Sequence, residues 1–333
     1  MDIKWMVALL ALVAGAALFL MLQPPAMGPQ PELMFAQGGA NQVAILNPGS
    51  GKLSSIPVGF LTHGVGTTPD GGKAYVASFS SDEVMVLDLK TQQNVGQINV
   101  GGKSHHVEVS PDGRLALITV GSTHSLAVID TGTDTLSASI PLAKGPTYAA
   151  FLPDGSKAYV TSMSAGIVSV IDIGQMGVVK EIAVGKSPDH LAITPDGKTL
   201  YAVNQGEDNV SVIDTAKDEV IKVIAVGKAP HGVAVVERQG RPLVIVGNRG
   251  STTLSIIDGQ TQAVVSTFDL KASPEHLKAS TDRKYLYVGS MPAKSLFIFD
   301  AERQRVVKRI DVGGEIHQIA VIADQPLQPN KAE

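Results

Sequence analysis

A unit of about 42 residues recurs along most of this chain, and no other feature limits its fold as tightly. The copies open at Val58-Gly59, Val100-Gly101, Leu142-Ala143, Val184-Gly185, Val226-Gly227, Leu270-Lys271 and Val312-Gly313, spaced 42 residues apart except for one interval of 44. A period in this range marks a repeat architecture whose units stack to bury one continuous core. In the copy that opens at Val184, residues 191–194 read as a short apolar strand and 195–198 as a proline-glycine turn. Residues 200–203 form a second strand, 205–209 a polar loop, 210–214 a third strand and 220–225 a fourth. Four antiparallel strands per copy, with no sustained helical period, make each copy one blade of a β-propeller.

The blade count follows from the two ends. Six complete copies run from Val58 to Asp311, and the seventh offers one strand at 318–322 before it stops. The missing second, third and fourth strands are supplied by residues 33–36, 41–47 and 52–56. The expected fold is therefore an all-β, seven-bladed propeller of four-stranded antiparallel blades, closed by N- and C-terminal strands that share one blade. It spans 33–324, after an N-terminal segment of 1–32 and before a tail of 325–333.

The triplets Tyr75-Val76-Ala77, Tyr159-Val160-Thr161, Tyr201-Ala202-Val203 and Tyr287-Val288-Gly289, with Ser110-Pro111-Asp112-Gly113 and Val212-Ile213-Asp214-Thr215, resemble the YVTN-type, YncE-like propeller repeat. That resemblance covers residues 33–324, although the turn decays to Glu237-Arg238-Gln239-Gly240 and Thr281-Asp282-Arg283-Lys284 in two copies. It implies the fold and the company of bacterial periplasmic and surface-layer proteins. It does not imply one activity, because a superfold hosts many. The only tryptophan, Trp5, lies outside the repeats, which argues against a WD40 propeller.

A net charge of −4 gives no basic footprint, so nucleic acid is not an expected partner. The absence of cysteine excludes disulfides, thiolate metal sites and c-type haem attachment. Residues 6–22 are an unbroken apolar run with Lys4 ahead of it and a proline-rich stretch behind it. Its length suits a spanning helix better than a signal-peptide core, and no small-residue cleavage site follows. The expectation is a periplasmic or cell-surface propeller anchored to the inner membrane by 6–22, with a cleaved signal as the alternative.

Seven of the eight histidines fall just after the copy openings. Two consecutive ring positions are defined there. The first is occupied by His63, His105, Thr147, Asp189, His231, Glu275 and His317. The second is occupied by Gly64, His106, Tyr148, His190, Gly232, His276 and Gln318. Innermost strands of a propeller line its axis, and successive strand residues point to opposite faces. One set is therefore expected to face the channel. The first is favoured, because Gly64 and Gly232 beside two of its histidines permit close backbone approach.

Neutral imidazole is the commonest metal ligand and suits copper, zinc and iron. His63, His105, His231 and His317, with Asp189 and Glu275 as ligands or orienting partners, are the expected metal set. Copper is the leading ion, with zinc or iron as alternatives. His106, Tyr148, His190 and His276 are the expected cofactor contacts. The ring is similar to the copper-holding propeller of nitrous oxide reductase, but here Thr147-Tyr148 interrupts it and no cysteine-bearing electron-entry domain is present. Resemblance to haem d1 propellers, which use axial histidines, implies a haem d1-type cofactor less strongly, since only Ala150, Ala192, Ala234 and Ala320 offer an apolar floor. Lactonase-type propellers use acidic ligands for a metal, a role open to Asp189 and Glu275, but the excess of histidine disfavours an oxygen cage.

The expected function is thus a binding module for a transition metal or metal-bearing cofactor. The alternative is a protein-interaction scaffold, such as an accessory subunit of a membrane complex with no chemistry of its own, and the third reading is a haem d1-type or lactonase-like propeller enzyme. His124 belongs to a loop away from the ring. Asp88, Asp130, Asp172, Asp214, Asp258 and Asp300, one per blade, are expected to cap turns rather than to react.

Overall fold

The computed structural model describes residues 30–323. The apolar run at 6–22 and the tail at 325–333 lie outside the described residues. Among those residues no helix is long and apolar enough to cross a membrane.

The strands form seven four-stranded antiparallel sheets, with one 3-10 turn at Gln205–Glu207 as the only helical element described. Blades two to seven start at Thr62, Ser104, Pro146, Pro188, Pro230 and Leu277. Blade one joins the two ends. Leu33–Gln37 pairs on one side with Gln42–Leu46 and on the other with the C-terminal strand Ile319–Val321, in the register Leu33↔Val321. The expected closure is present.

The core lies between blades, and two-residue periodicity builds it. In the strand Lys73–Ser78, Ala74 and Val76 pack with Met34, Val43 and Ile45 of blade one. Tyr75 and Ala77 face the other way, against Val107, Ala116 and Ile118 of blade three. Because both faces meet a neighbouring blade, the central strands read as nearly continuous apolar runs.

Two of the repeat tyrosines lock neighbouring blades. The Tyr75 hydroxyl donates to Asp134 Oδ1 at 2.6 Å, and Lys73 Nζ reaches the other oxygen at 2.6 Å. Tyr159 and Lys157 repeat the arrangement on Asp218. Burial followed by the aspartate bond raises both phenol pKa values, so each phenol remains a donor.

Outer strands carry a β-bulge opposite the third strand in blades two to seven. The extra residue, such as Val95, Val179, Ile221 or Val265, is left exposed. Such bulges twist an edge strand away from templated pairing. The recurring aspartates cap turns as expected. Each of the six accepts backbone N–H groups two or three residues on, for example Thr91 N to Asp88 at 2.7 Å and Arg303 N to Asp300 at 2.9 Å.

Candidate metal and cofactor site

The inner strands break register where the ring residues sit. In blade two Thr62 pairs with Ser78 and the next pair is Val65↔Val76, so His63 and Gly64 together oppose Ala77. The same irregularity embraces His105-His106, Thr147-Tyr148, Asp189-His190 and His231-Gly232. A bulge of this kind re-aims side chains. It corrects the expectation that strict alternation lets only one set approach the axis, with the first set favoured. Both positions converge.

The two sets form stacked layers. In the first, the His63 ring lies 4.0 Å from His105 and 4.7 Å from His317. In the second, Tyr148 stacks on His190 at 3.6 Å and tilts against His106 at 4.5 Å, and His190 meets His276 at 5.0 Å. His231 links the layers, 4.5 Å from His190 and 5.0 Å from His276. His63, His106, Tyr148, Asp189, His190, His231, Glu275 and His276 are all buried, while His105 and His317 are half-buried. His124 sits in a loop at positive φ, apart from the cluster.

Of the residues expected to hold a metal, the structure brings His231 together with two from the expected cofactor set. His190, His231 and His276 present ligand atoms within 4.8 Å of one another and could hold a metal ion. The remaining first-layer groups surround them. Asp189 Oδ2 stands 3.4 Å from His231 Nε2, and its Oδ1 is 3.6 Å from His190 Nδ1. Glu275 is held from outside by the half-exposed Arg249, Nε to Oε2 at 2.9 Å.

Backbone carbonyls fix two tautomers. His63 Nδ1 lies 2.8 Å from His105 O, and His231 Nδ1 lies 3.2 Å from Glu275 O. A carbonyl only accepts, so each Nδ1 carries the proton and each Nε2 keeps its lone pair. These carbonyls belong to the next blade and press so close that a Cβ on Gly64 would meet His105 O at 2.6 Å, and one on Gly232 would meet Glu275 O at 2.5 Å. His106 is set the opposite way, because its Nδ1 accepts from Ala149 N at 3.3 Å.

Burial, reinforced by neighbouring histidines, holds the His63, His106, His190 and His276 imidazoles well below their ordinary pKa. Burial brings His105 down to about 4 and, with Arg249 nearby, His231 down to about 3. Burial pushes the Asp189 carboxyl up to about 7 against the pull of Arg249. A cluster of neutral imidazoles is the ligating form. His105 Nδ1, His190 Nδ1, His317 Nδ1 and Asp189 Oδ1 are buried without a hydrogen-bond partner among the described residues. Such groups cost free energy unless something satisfies them.

A cavity of about 510 Å³ adjoins the cluster and is lined by its second-set residues His106, Tyr148, His190, His276 and Gln318. The second set, not the first, faces it. Ala150, Ala192 and Ala234 leave the space, while Glu108 and Lys278 reach into it. The last two were missed in the sequence. They occupy the same register, three residues after the first ring position, that carries glycine or alanine in the other five blades. Gln318 was also undervalued. Its side chain accepts from Val65 N and Val107 N at 3.1 and 3.2 Å and donates to Val107 O at 2.6 Å, strapping blade one to blades two and three.

Residues 50–194 and 237–327 match the YNCE-like beta-propeller family. No curated protein matches the chain in sequence. Among solved structures, hydrazine synthase of Kuenenia stuttgartiensis is similar with a TM-score of 0.71 at 22% identity, covering 79% of this chain and 90% of that one. A functionally unknown protein from Desulfotomaculum acetoxidans DSM 771 gives 0.77 at 15% identity, covering 88% and 99%. Dihydro-heme d1 dehydrogenase NirN in complex with DHE gives 0.70 at 18% identity, covering 87% and 66%. At these identities the likeness is one of fold.

Proposed function

The chain belongs to the YNCE-like β-propeller family, and we propose that it is an exported, membrane-tethered binding module that holds a transition-metal ion at His190, His231 and His276. The observation that carries this reading is the meeting of three buried neutral imidazoles beside polar atoms left without partners. Copper is the preferred ion, since an all-imidazole site follows the general affinity order in which Cu²⁺ exceeds Zn²⁺ and Fe²⁺. His231 presents Nε2 because Glu275 O occupies its Nδ1. Asp189, at 3.4 Å from that Nε2, is the carboxylate placed to add an oxygen ligand or balance the ion's charge, while Glu275 O orients the ring through Nδ1. The apolar run at 6–22 supports export and tethering.

The fold shared with NirN, a dihydro-heme d1 dehydrogenase, supports a haem-type cofactor as the second reading for the same cluster. Metal analysis and absorption spectra of protein purified from its native membrane distinguish the two. One copper per chain, lost in His190→Ala, His231→Ala and His276→Ala while His124→Ala retains it, is the expected result. A macrocycle absorbance band favours the haem-type cofactor. Absence of both metal and chromophore, with no copper taken up on titration, overturns the site and leaves the accessory-subunit alternative.

A further inference from the structure

The channel cavity carries charge that the histidine cluster does not use. Glu108, on the inner strand of blade three, and Lys278, on that of blade seven, project from opposite sides into a layer otherwise made by glycine and alanine. Arg283 joins Lys278 from the turn of the same blade. All three are half-buried. Among the described residues neither Lys278 nor Arg283 has a carboxylate within ion-pair distance. Phe151, Ile193, Leu277 and Ile319 form an apolar part of the wall beside the alanines, and Thr194 and Ser280 add neutral polar groups. Exposed Pro111, Pro153 and Thr281 form the rim, so the cavity opens on the face of the first turns, away from the first-layer histidines.

A volume of about 510 Å³ lies within the ordinary range for small-molecule sites, about 300–1,000 Å³, and such sites combine apolar walls with a few placed polar groups. Two cations on one wall, in no ion pair and only partly offset by Glu108 across the cavity, and partly removed from water, select an anion. We infer that this cavity binds a small organic carboxylate with an apolar body, its carboxylate held by Lys278 and Arg283 and its body against the alanine layer. Seated so, its far end approaches His190 and His276. That last juxtaposition alone rests on the metal reading, since the cation contacts do not require the ion. Glu108 opposes the anion from the facing wall and sets the sign of the test.

The probes are 1-naphthaleneacetate and its neutral amide, titrated calorimetrically into the full chain, both chelator-treated and copper-loaded. The carboxylate is expected to bind both forms, and the amide about tenfold more weakly, the usual worth of a charge-assisted contact. Lys278→Met with Arg283→Gln should abolish the difference between the probes. Glu108→Gln should tighten the carboxylate several-fold, and Ala192→Leu with Ala234→Leu should remove binding by filling the cavity. Equal affinity for the amide, no binding of either probe, or tight binding surviving the leucine pair overturns the inference. If the leucine pair does not fold, the Lys278 and Arg283 pair and Glu108→Gln decide it. Binding to chelated protein that takes up no copper would remove the metal reading and leave this one standing.

Discussion

His190 Nε2 lies 3.1 Å from His276 Nδ1, so nitrogens from blades five and seven share one proton. The Tyr148 hydroxyl approaches the same Nδ1 at 3.4 Å. Two imidazole nitrogens on one tetrahedral ion stand roughly 3.3 Å apart, from metal–nitrogen bonds of about 2.0 Å. The two nitrogens are therefore close to the spacing an ion needs, and burial holds both rings neutral.

Neutrality has a cost in acid. Ring histidines with depressed pKa values remain unprotonated in the folded state, while the unfolded chain takes up protons below about 6.5. The unfolded state then binds more protons, so stability falls as pH drops from about 6.5 towards the folded values near 4 for His105 and 3 for His231. Each buried ring contributes up to about 1.4 kcal/mol per pH unit in that window. Asp189, raised to about 7, and Glu108 and Glu275, also raised by burial, act with the opposite sign, but they are three carboxyls against seven depressed imidazoles. Denaturant melts of metal-free protein at pH 7, 6 and 5 should show a steep loss, reduced in His190→Gln with His276→Gln. A flat profile contradicts the neutral buried ring.

Gly64 and Gly232 are required by contact rather than by conformation. Gly64→Ala and Gly232→Ala should each cost about 1–3 kcal/mol, because a next-blade carbonyl blocks the new methyl group and cannot retreat without moving a blade. Gly121→Ala, with no atom within 4 Å of the added carbon, should stay within about 0.5 kcal/mol. Equal melting temperatures for all three variants would refute the close approach.

The tyrosine bonds separate otherwise similar residues. Tyr159→Phe takes from Asp218 Oδ1 its phenol donor and leaves only Lys157 on the other oxygen, and should cost about 1.5–3 kcal/mol as for bonds to charged groups. The Tyr201 hydroxyl is buried without a partner, so Tyr201→Phe should be neutral or stabilising. Urea unfolding of the pair measures the difference directly.

Closure depends on a three-residue strand and one glutamine. Removing residues 315–333 deletes Ile319–Val321 and Gln318, and exposes the inner edge of blade one. Calorimetric unfolding should become broad and less cooperative, and the truncated chain should aggregate on heating. Deleting residues 1–30 should leave the melt unchanged and release the protein from membranes. An unaltered transition in the C-terminal truncation would contradict the shared blade.

The period of the repeat, the strand patterns within it and the completion of one blade by both termini were readable from the sequence, because each rests on spacing and two-residue alternation. So was the gathering of seven histidines at one end of the axis. How they meet was not. His63 and His231 owe their tautomers to carbonyls 42 and 44 residues away, and a bulge, not alternation, brings both ring positions inward. Gly64 and Gly232 were the visible trace of that bulge, yet a glycine alone does not say which carbonyl approaches it. Glu108 and Lys278 stood in plain register, but their facing across a cavity exists only once seven blades close. Local spacing selected the propeller, and only ring closure decided which side chains share a site, since the contacts that gather His190, His231 and His276 join different blades.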